Sequence, residues 1–207
     1  MKKVLLLLVS AMCLTANAQE LKYGVTAGVN VNSPEGNMDS GSRLGYHIGG
    51  TATCDFSKWY ASASLLLTQK GFKRPYTLSV DNQEIKSHTD VTYLELPIVA
   101  GKNFNLGGGC KFFMEAGPYI AVGLFGKSQT KWAGVKEESH KVFGKNGFKR
   151  FDAGLTGGIG VEAFKHLRMK VGYEFGIPNL AKRGLAPAEL APTYRNRTLT
   201  VSASYIF

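Results

Sequence analysis

The chain has 207 residues, with 25 basic residues, 15 acidic residues, a formal net charge of +10, 25 glycines, 7 prolines and 3 cysteines. That length suits one domain. So few cysteines exclude a disulfide scaffold, and 11% aromatic residues with few prolines exclude a disordered chain.

The N-terminus reads as a processing signal. Lys2 and Lys3 precede the apolar run Val4–Leu14, and Ala16-Asn17-Ala18 is a small-x-small site, so residues 1–18 are expected to be a signal peptide cleaved after Ala18. A lipoprotein reading through Cys13 is disfavoured by Met12 before it. Without Lys2 and Lys3 the 23 remaining basic residues leave a net charge of +8. The apolar run is too short to span a membrane as a helix, and nothing later reaches ~18 continuous apolar residues. The mature chain then retains Cys54 and Cys110, at a spacing that suits no common zinc site. No metal and no cofactor is expected.

From Leu21 a period-2 alternation begins. Leu21, Tyr23, Val25, Ala27, Val29 and Val31 share one face, and Lys22, Gly24, Thr26, Gly28 and Asn30 the other. After the polar loop 33–41, Leu44, Tyr46, Ile48, Ala52, Cys54 and Phe56 oppose Gly45, His47, Gly49, Thr51, Thr53 and Asp55. A third run opposes Trp59, Ala61, Ala63, Leu65 and Leu67 to Tyr60, Ser62, Ser64, Leu66 and Thr68, ending at Gln69-Lys70-Gly71. Residues 72–90 read as a long polar loop. The fourth run opposes Leu94, Leu96, Ile98 and Ala100 to Tyr93, Glu95, Pro97, Val99 and Gly101. The fifth opposes Phe112, Met114, Ala116, Ile120 and Val122 to Lys111, Phe113, Glu115, Gly117 and Tyr119. Residues 126–148 read as the longest loop. The sixth opposes Phe151, Ala153, Leu155, Ile159 and Val161 to Asp152, Gly154, Thr156, Gly158, Gly160 and Glu162. The seventh opposes Leu167, Met169, Val171, Tyr173 and Phe175 to Arg168, Lys170, Gly172 and Glu174. After the loop 178–194 the last run places Leu199, Val201, Ala203, Tyr205 and Phe207 on the apolar side.

Eight such runs, with short and long connections in strict alternation, predict an all-β fold: an eight-stranded antiparallel up-and-down transmembrane barrel over residues 19–207. An even count puts both termini on the periplasmic side and every long loop on the outer side. Aromatics near the ends of the apolar face (Trp59, Phe56, Phe112, Tyr205 and Phe207 low; Tyr46, Phe151 and Phe175 high) would form the two interfacial girdles. A soluble β-sandwich is the rival architecture, but its inner face would be bulky where this polar face is mostly Gly, Thr and Ser.

Tyr93-Leu94-Glu95-Leu96-Pro97, Gln69-Lys70-Gly71, Gly117-Pro118-Tyr119-Ile120 and the terminal strand together resemble the PorT-like outer-membrane barrel family, whose members are similar to small eight-stranded barrels of the OmpX and OmpA type. The terminal Phe207, with Tyr205 two residues before it, resembles the signal by which the barrel-assembly machinery recognises such proteins. The resemblance implies the outer membrane of a Gram-negative bacterium. It implies no single activity.

The candidate sites follow from this arrangement. Glu95, Glu115, Asp152, Glu162 and Glu174 point inward, as do Lys111, Arg168 and Lys170, so an ion-paired lumen network is expected, against a catalytic or proton-conducting use of the same carboxylates. With a turn at 164–166, Glu162 should oppose Arg168, Thr156 should oppose Glu174 and Gly160 should oppose Lys170, leaving room for that lysine to reach Glu115 or Glu174. On this reading the loss of Arg168 strands the Glu162 carboxylate. Gly158-Ile159-Gly160-Val161-Glu162-Ala163 matches a dinucleotide fingerprint without the helix that motif needs. Ser87-His88 and Ser139-His140 keep a lipid-modifying hydrolase open as an alternative, beside a small-solute pore. Lys127, Lys131, Lys136, Lys141, Lys145, Lys149 and Arg150, with Arg195 and Arg197, would make a cationic outer rim. Such a rim suits lipopolysaccharide phosphates, an acidic polysaccharide or a surface or secretion-related protein partner, or simply solvates the loops. The leading expectation is a non-enzymatic envelope protein with a filled lumen, binding no nucleic acid.

Overall fold

The computed structural model describes residues 20–36, 41–56, 58–77, 84–132, 135–143, 148–181 and 193–207, with the backbone alone at 20, 74–77, 84–87, 129–132 and 135–141. The expected signal peptide lies outside these residues. Nine strands are described: β1 (Glu20–Asn32), β2 (Arg43–Phe56), β3 (Trp59–Thr77), β4 (Glu84–Gly107), β5 (Cys110–Trp132), β6 (Val135–Lys141), β7 (Phe151–Ala163), β8 (Leu167–Gly176) and β9 (Arg197–Ile206). Eight of them close a ring: β1 pairs with β2 and β9, β4 with β3 and β5, and β5 with β7. Every pairing is antiparallel, and β6 stands outside the ring against the far end of β5.

Burial is inverted relative to a water-soluble core. Leu44, Ile48, Leu65, Ile159, Val171 and Val201 on the outer surface are 44–69% exposed, whereas the inward Asn30, Asp152 and Thr198 are fully buried and Glu95 is 1% exposed. A belt of exposed Leu, Val and Ile around a polar interior is stable only where the surroundings are hydrocarbon, and ring closure leaves no unpaired edge there. Tyr46, Phe56, Trp59, Phe151, Phe175, Tyr205 and Phe207 all face outward and are exposed.

The connections at one end differ from the sequence expectation. Residues 72–90 are not one loop: β3 and β4 continue as a paired ladder from Phe72↔Thr89 to Thr77↔Glu84. The segment 126–148 likewise contains a hairpin, with β5 continuing to Trp132 and pairing with β6. Alternation of apolar and polar residues is imposed only where one face meets hydrocarbon. Lys-Arg-Pro-Tyr-Thr and Glu-Ile-Lys-Ser-His-Thr-Asp lie beyond it, so their strand character leaves no period-2 signal.

That end, the loop end, is also capped by an apolar cluster. Phe72, Phe148 and Tyr194 bring their rings to within 5.0–5.5 Å of one another. Val91, Tyr93, Tyr119, Val142, Leu180 and Ala181 pack with them, and Leu180 is fully buried. Backbone bonds from Phe148 to Val142, Lys149 to Leu180 and Leu180 to Tyr194 tie the three segments together.

Inside the barrel, glycine makes room for large inward side chains. A Cβ on Gly101 would fall on the Tyr60 ring, and one on Gly160 would meet Phe113. The opposite end, the turn end, has short connections. At the β7–β8 turn Phe164 and Lys165 take left-handed backbone angles, φ 55° and 64°.

Candidate functional site: the lumen network and the basic rim

The register of β7 and β8 is the one the turn at 164–166 implies. Glu162 faces Arg168, Gly160 faces Lys170, Val161 faces Met169 and Thr156 faces Glu174. Even-numbered positions of both strands therefore share the lumen face, and a slip by one residue would carry the charges to the lipid face.

The charged groups form layers across the lumen. In the half nearer the loop end, the Lys70 ammonium donates to Glu95 at 2.6 Å and to Glu174 at 2.8 Å. Lys70 and Glu95 are each 1% exposed, and the ammonium also lies 4.9 Å from the Tyr119 ring centre. Above this layer, Asp152 accepts from Asn196 Nδ2 at 2.7 Å and from the Tyr119 hydroxyl at 3.3 Å. Below it, Glu115 accepts from Lys170 Nζ at 2.7 Å and from the Tyr60 hydroxyl at 2.6 Å. Glu162 closes the turn end against Lys111 at 3.1 Å, with Arg168 Nε at 3.7 Å. All seven expected lumen residues thus face inward and reach a polar partner, though not in one continuous cluster.

Glu162 is shared: Lys111 is the nearer cation at 3.1 Å and Arg168 the farther at 3.7 Å, so loss of Arg168 would leave that carboxylate one partner. The Arg168 guanidinium also lies over Phe113 at 4.0 Å and Tyr60 at 4.5 Å from the ring centres.

Lys70, the hub of the upper layer, is absent from the sequence-derived network. Its signal was present: the inward set Tyr60, Ser62, Ser64, Leu66, Thr68 continues by twos to residue 70. The strand runs on to Thr77, past the end expected at Gln69-Lys70-Gly71, and so carries Lys70 on its lumen face. Two further pairs lie near the loop end, Arg43 with Asp90 and Arg197 with Glu35.

A triad of Asn30, His47 and Ser202 sits between the charged layers. His47 Nδ1 is 2.6 Å from Asn30 Oδ1, and His47 Nε2 is 2.9 Å from Ser202 Oγ. The distances are those of a hydrogen-bonded nucleophile, base and orienting group. All three side chains are buried in the lumen, beside cavities of about 60 Å³ and about 30 Å³. The loop histidines form no comparable set: His88 is half-buried in β4, and the side chain of His140 lies outside the described residues. His166, in the β7–β8 turn, bonds the Ile206 carbonyl at 2.7 Å. Cys54 and Cys110 are free thiols, and among the described residues no group of His, Cys, Asp and Glu is placed to hold a metal.

Of the expected basic rim, Lys145 lies outside the described residues, and Lys131, Lys136 and Lys141 are described by backbone alone, on β5 and β6. Lys149 and Arg150 are exposed at the loop end. Lys149 Nζ donates to the Asn179 carbonyl and Arg150 to the carbonyls of Gly123 and Leu124. Lys73, Lys127 and Arg195 are exposed beside them, and none of these five is paired with a carboxylate among the described residues. Arg197 departs from the expected rim: it is 7% exposed, packs on the Phe175 ring at 3.5 Å and pairs with Glu35. At the other end Tyr205 and Phe207 stand side by side, ring centres 5.5 Å apart, with Tyr205 stacked on His166.

The family model described as an outer membrane protein beta-barrel domain matches residues 17–182, more than half of the chain. The chain belongs to this outer-membrane barrel family. The loop end is therefore the outer end and the turn end the periplasmic one. A search of curated proteins returns no match. Among solved structures, OprG of Pseudomonas aeruginosa is 12% identical, with 90% of this chain and 95% of that one covered and a TM-score of 0.48. Ail of Yersinia pestis is 15% identical over 91% and 99% of the two chains, with a TM-score of 0.43. Neisserial surface protein A is 12% identical over 89% and 95%, with a TM-score of 0.42.

Proposed function

We propose that this outer-membrane barrel is a non-enzymatic binding protein of the PorT-like kind, whose cationic outer rim takes the phosphates of lipopolysaccharide or another surface polyanion. The observation that carries the reading is a contrast in charge satisfaction. Each lumen carboxylate named above has a cation, phenol or amide partner, whereas the exposed Lys73, Lys127, Lys149, Arg150 and Arg195 have no carboxylate partner among the described residues. Matched charges inside favour a filled barrel, and unmatched cations outside favour an anionic partner. The signal peptide is removed after Ala18 on this reading, and Tyr205 and Phe207 address the chain to the barrel-assembly machinery.

The test uses barrel refolded in detergent and titrated with purified lipopolysaccharide, intact or dephosphorylated. Binding should weaken with salt and with dephosphorylation. It should fall by at least about tenfold in the triple variant Lys73→Glu, Lys127→Glu, Arg195→Glu, since each cation near an anionic surface contributes about 1 kcal/mol. Salt-independent binding unaltered in that variant would sink the rim reading. Failure with lipopolysaccharide alongside capture of a protein partner by cross-linking on intact cells would transfer the rim to a surface or secretion-related partner.

The second reading, a hydrolase, is favoured by the Ser202–His47–Asn30 geometry. Against it stands the space available: about 60 Å³ beside the triad, where ligand pockets usually offer about 300–1,000 Å³. Labelling of Ser202 by a fluorophosphonate, together with chain loss from native outer-membrane lipid, would establish the hydrolase.

A further inference from the structure

We infer that the periplasmic half of the lumen holds a built site for a small monovalent anion of the chloride class, with Arg168 as its principal donor. Arg168 is 9% exposed, and its Nε and Nη2 make no hydrogen bond among the described residues. Its faces are engaged by Phe113 and Tyr60, but a guanidinium donates in its own plane, so ring stacking leaves the N–H edge unused. Buried donors of a charged group are costly to leave unmet.

The surroundings supply a matching wall. Arg168 lines the cavity of about 60 Å³ together with Thr26, Ser62, Ser64, Ser204 and Lys170, and with Glu115, whose carboxylate is held by Lys170 and Tyr60. Arg168 is the direct cross-strand partner of Ser204, and Lys170 that of Ser202, so cations and hydroxyls line one side of the same two strands. Hydroxyl rotors can turn a proton toward an anion without moving the backbone. The volume admits one dehydrated halide or a few waters, since a water needs roughly 10–15 Å³ on this measure.

Charge favours the anion. Among the described residues the turn-end half of the lumen holds four cations, Lys22, Lys111, Arg168 and Lys170, against three carboxylates, Asp55, Glu115 and Glu162. Glu115 is already taken by Lys170 and Tyr60, and Glu162 by Lys111 at 3.1 Å, with Arg168 Nε at 3.7 Å, a distance that leaves the Arg168 donors without a hydrogen bond. The cations exceed the carboxylates by one, and the Arg168 donors are the ones without a hydrogen bond. This site is separate from the outer rim, and the two stand or fall independently.

Bromide is the probe. Crystals of the refolded barrel soaked in sodium bromide should show one anomalous peak within hydrogen-bond distance of Arg168 Nε or Nη2, displaced by excess chloride. In detergent, chloride should raise the unfolding temperature over gluconate at equal ionic strength. Arg168→Met, which keeps an apolar stem against the two rings, should lose both signals. Should that variant fail to assemble, Ser64→Val fills the hydroxyl wall without altering any charge and should likewise abolish the peak. Water alone at the position in bromide-soaked crystals, or a peak that persists in either folded variant, would overturn the site.

Discussion

Lys70 satisfies two glutamates with one ammonium, and all three groups are buried. Such a centre is sensitive to losing one member, because the desolvation of what remains is no longer compensated. Lys70→Met is expected to cost roughly 3–5 kcal/mol in urea unfolding from detergent micelles. The triple change Lys70→Met, Glu95→Gln, Glu174→Gln should recover much of that loss, since it leaves no buried charge unpaired. Equal loss in the single and triple variants would mean that the layer acts by shape rather than by charge. Arg168 behaves differently. Lys111 keeps Glu162 neutralised at 3.1 Å, so Arg168→Met alone and Arg168→Met with Glu162→Gln should differ little in the same assay.

Among the elements, the β7–β8 turn holds two non-glycine residues in the left-handed region, Phe164 and Lys165. A side chain there costs about 1–2 kcal/mol per residue. Lys165→Gly should therefore stabilise the barrel by about 1 kcal/mol, read as a higher urea midpoint, with the Glu162–Arg168 register unchanged. The terminal strand β9 makes the opposite case. It joins β8 to β1 and so closes the ring, and Phe207 is 70% exposed beyond its last pair. Removing so exposed a ring subtracts little packing from the folded state. If Phe207 addresses the chain to the barrel-assembly machinery as proposed, deleting it should nevertheless abolish insertion and leave a degraded or soluble periplasmic product. Normal amounts of heat-modifiable barrel in the outer-membrane fraction would refute that role.

For the whole molecule, the outer cap and the barrel are two cores with different surroundings. The cap packs Phe72, Phe148, Leu180 and Tyr194 above the hydrocarbon belt, while the lumen below is held by ion pairs and hydroxyls. Leu180→Ala, at a fully buried position, should loosen the cap by about 2–5 kcal/mol. Protease cleavage on intact cells should then rise near residues 148–181, with the barrel itself still heat-modifiable. A barrel that unfolds with its cap would show the two to be one cooperative unit. In planar bilayers the native protein should give no large stable conductance, since side chains cross the lumen at three depths.

The alternation of Leu199, Val201, Ala203, Tyr205 with Thr198, Thr200, Ser202, Ser204, with its seven counterparts, was sufficient to determine the barrel and its strand faces, and the turn at 164–166 added the β7–β8 register. Hydrocarbon on one side and a crowded lumen on the other impose a period of two, and that constraint is written residue by residue along each strand. Outside the hydrocarbon the constraint lapses, so the ladder 72–77 with 84–89, the β5–β6 hairpin and the apolar cap left no periodic trace. The sequence left Lys170 a choice of Glu115 or Glu174, of which the structure takes Glu115, and left the other inward contacts undecided. Asn30, His47 and Ser202 come from three strands, Lys70 and Glu174 from opposite walls, and Glu162 lies between two cross-strand cations, nearer to Lys111 than to Arg168. Those choices depend on ring closure and strand stagger, which set the distances across the lumen. Only the tertiary structure contains those distances.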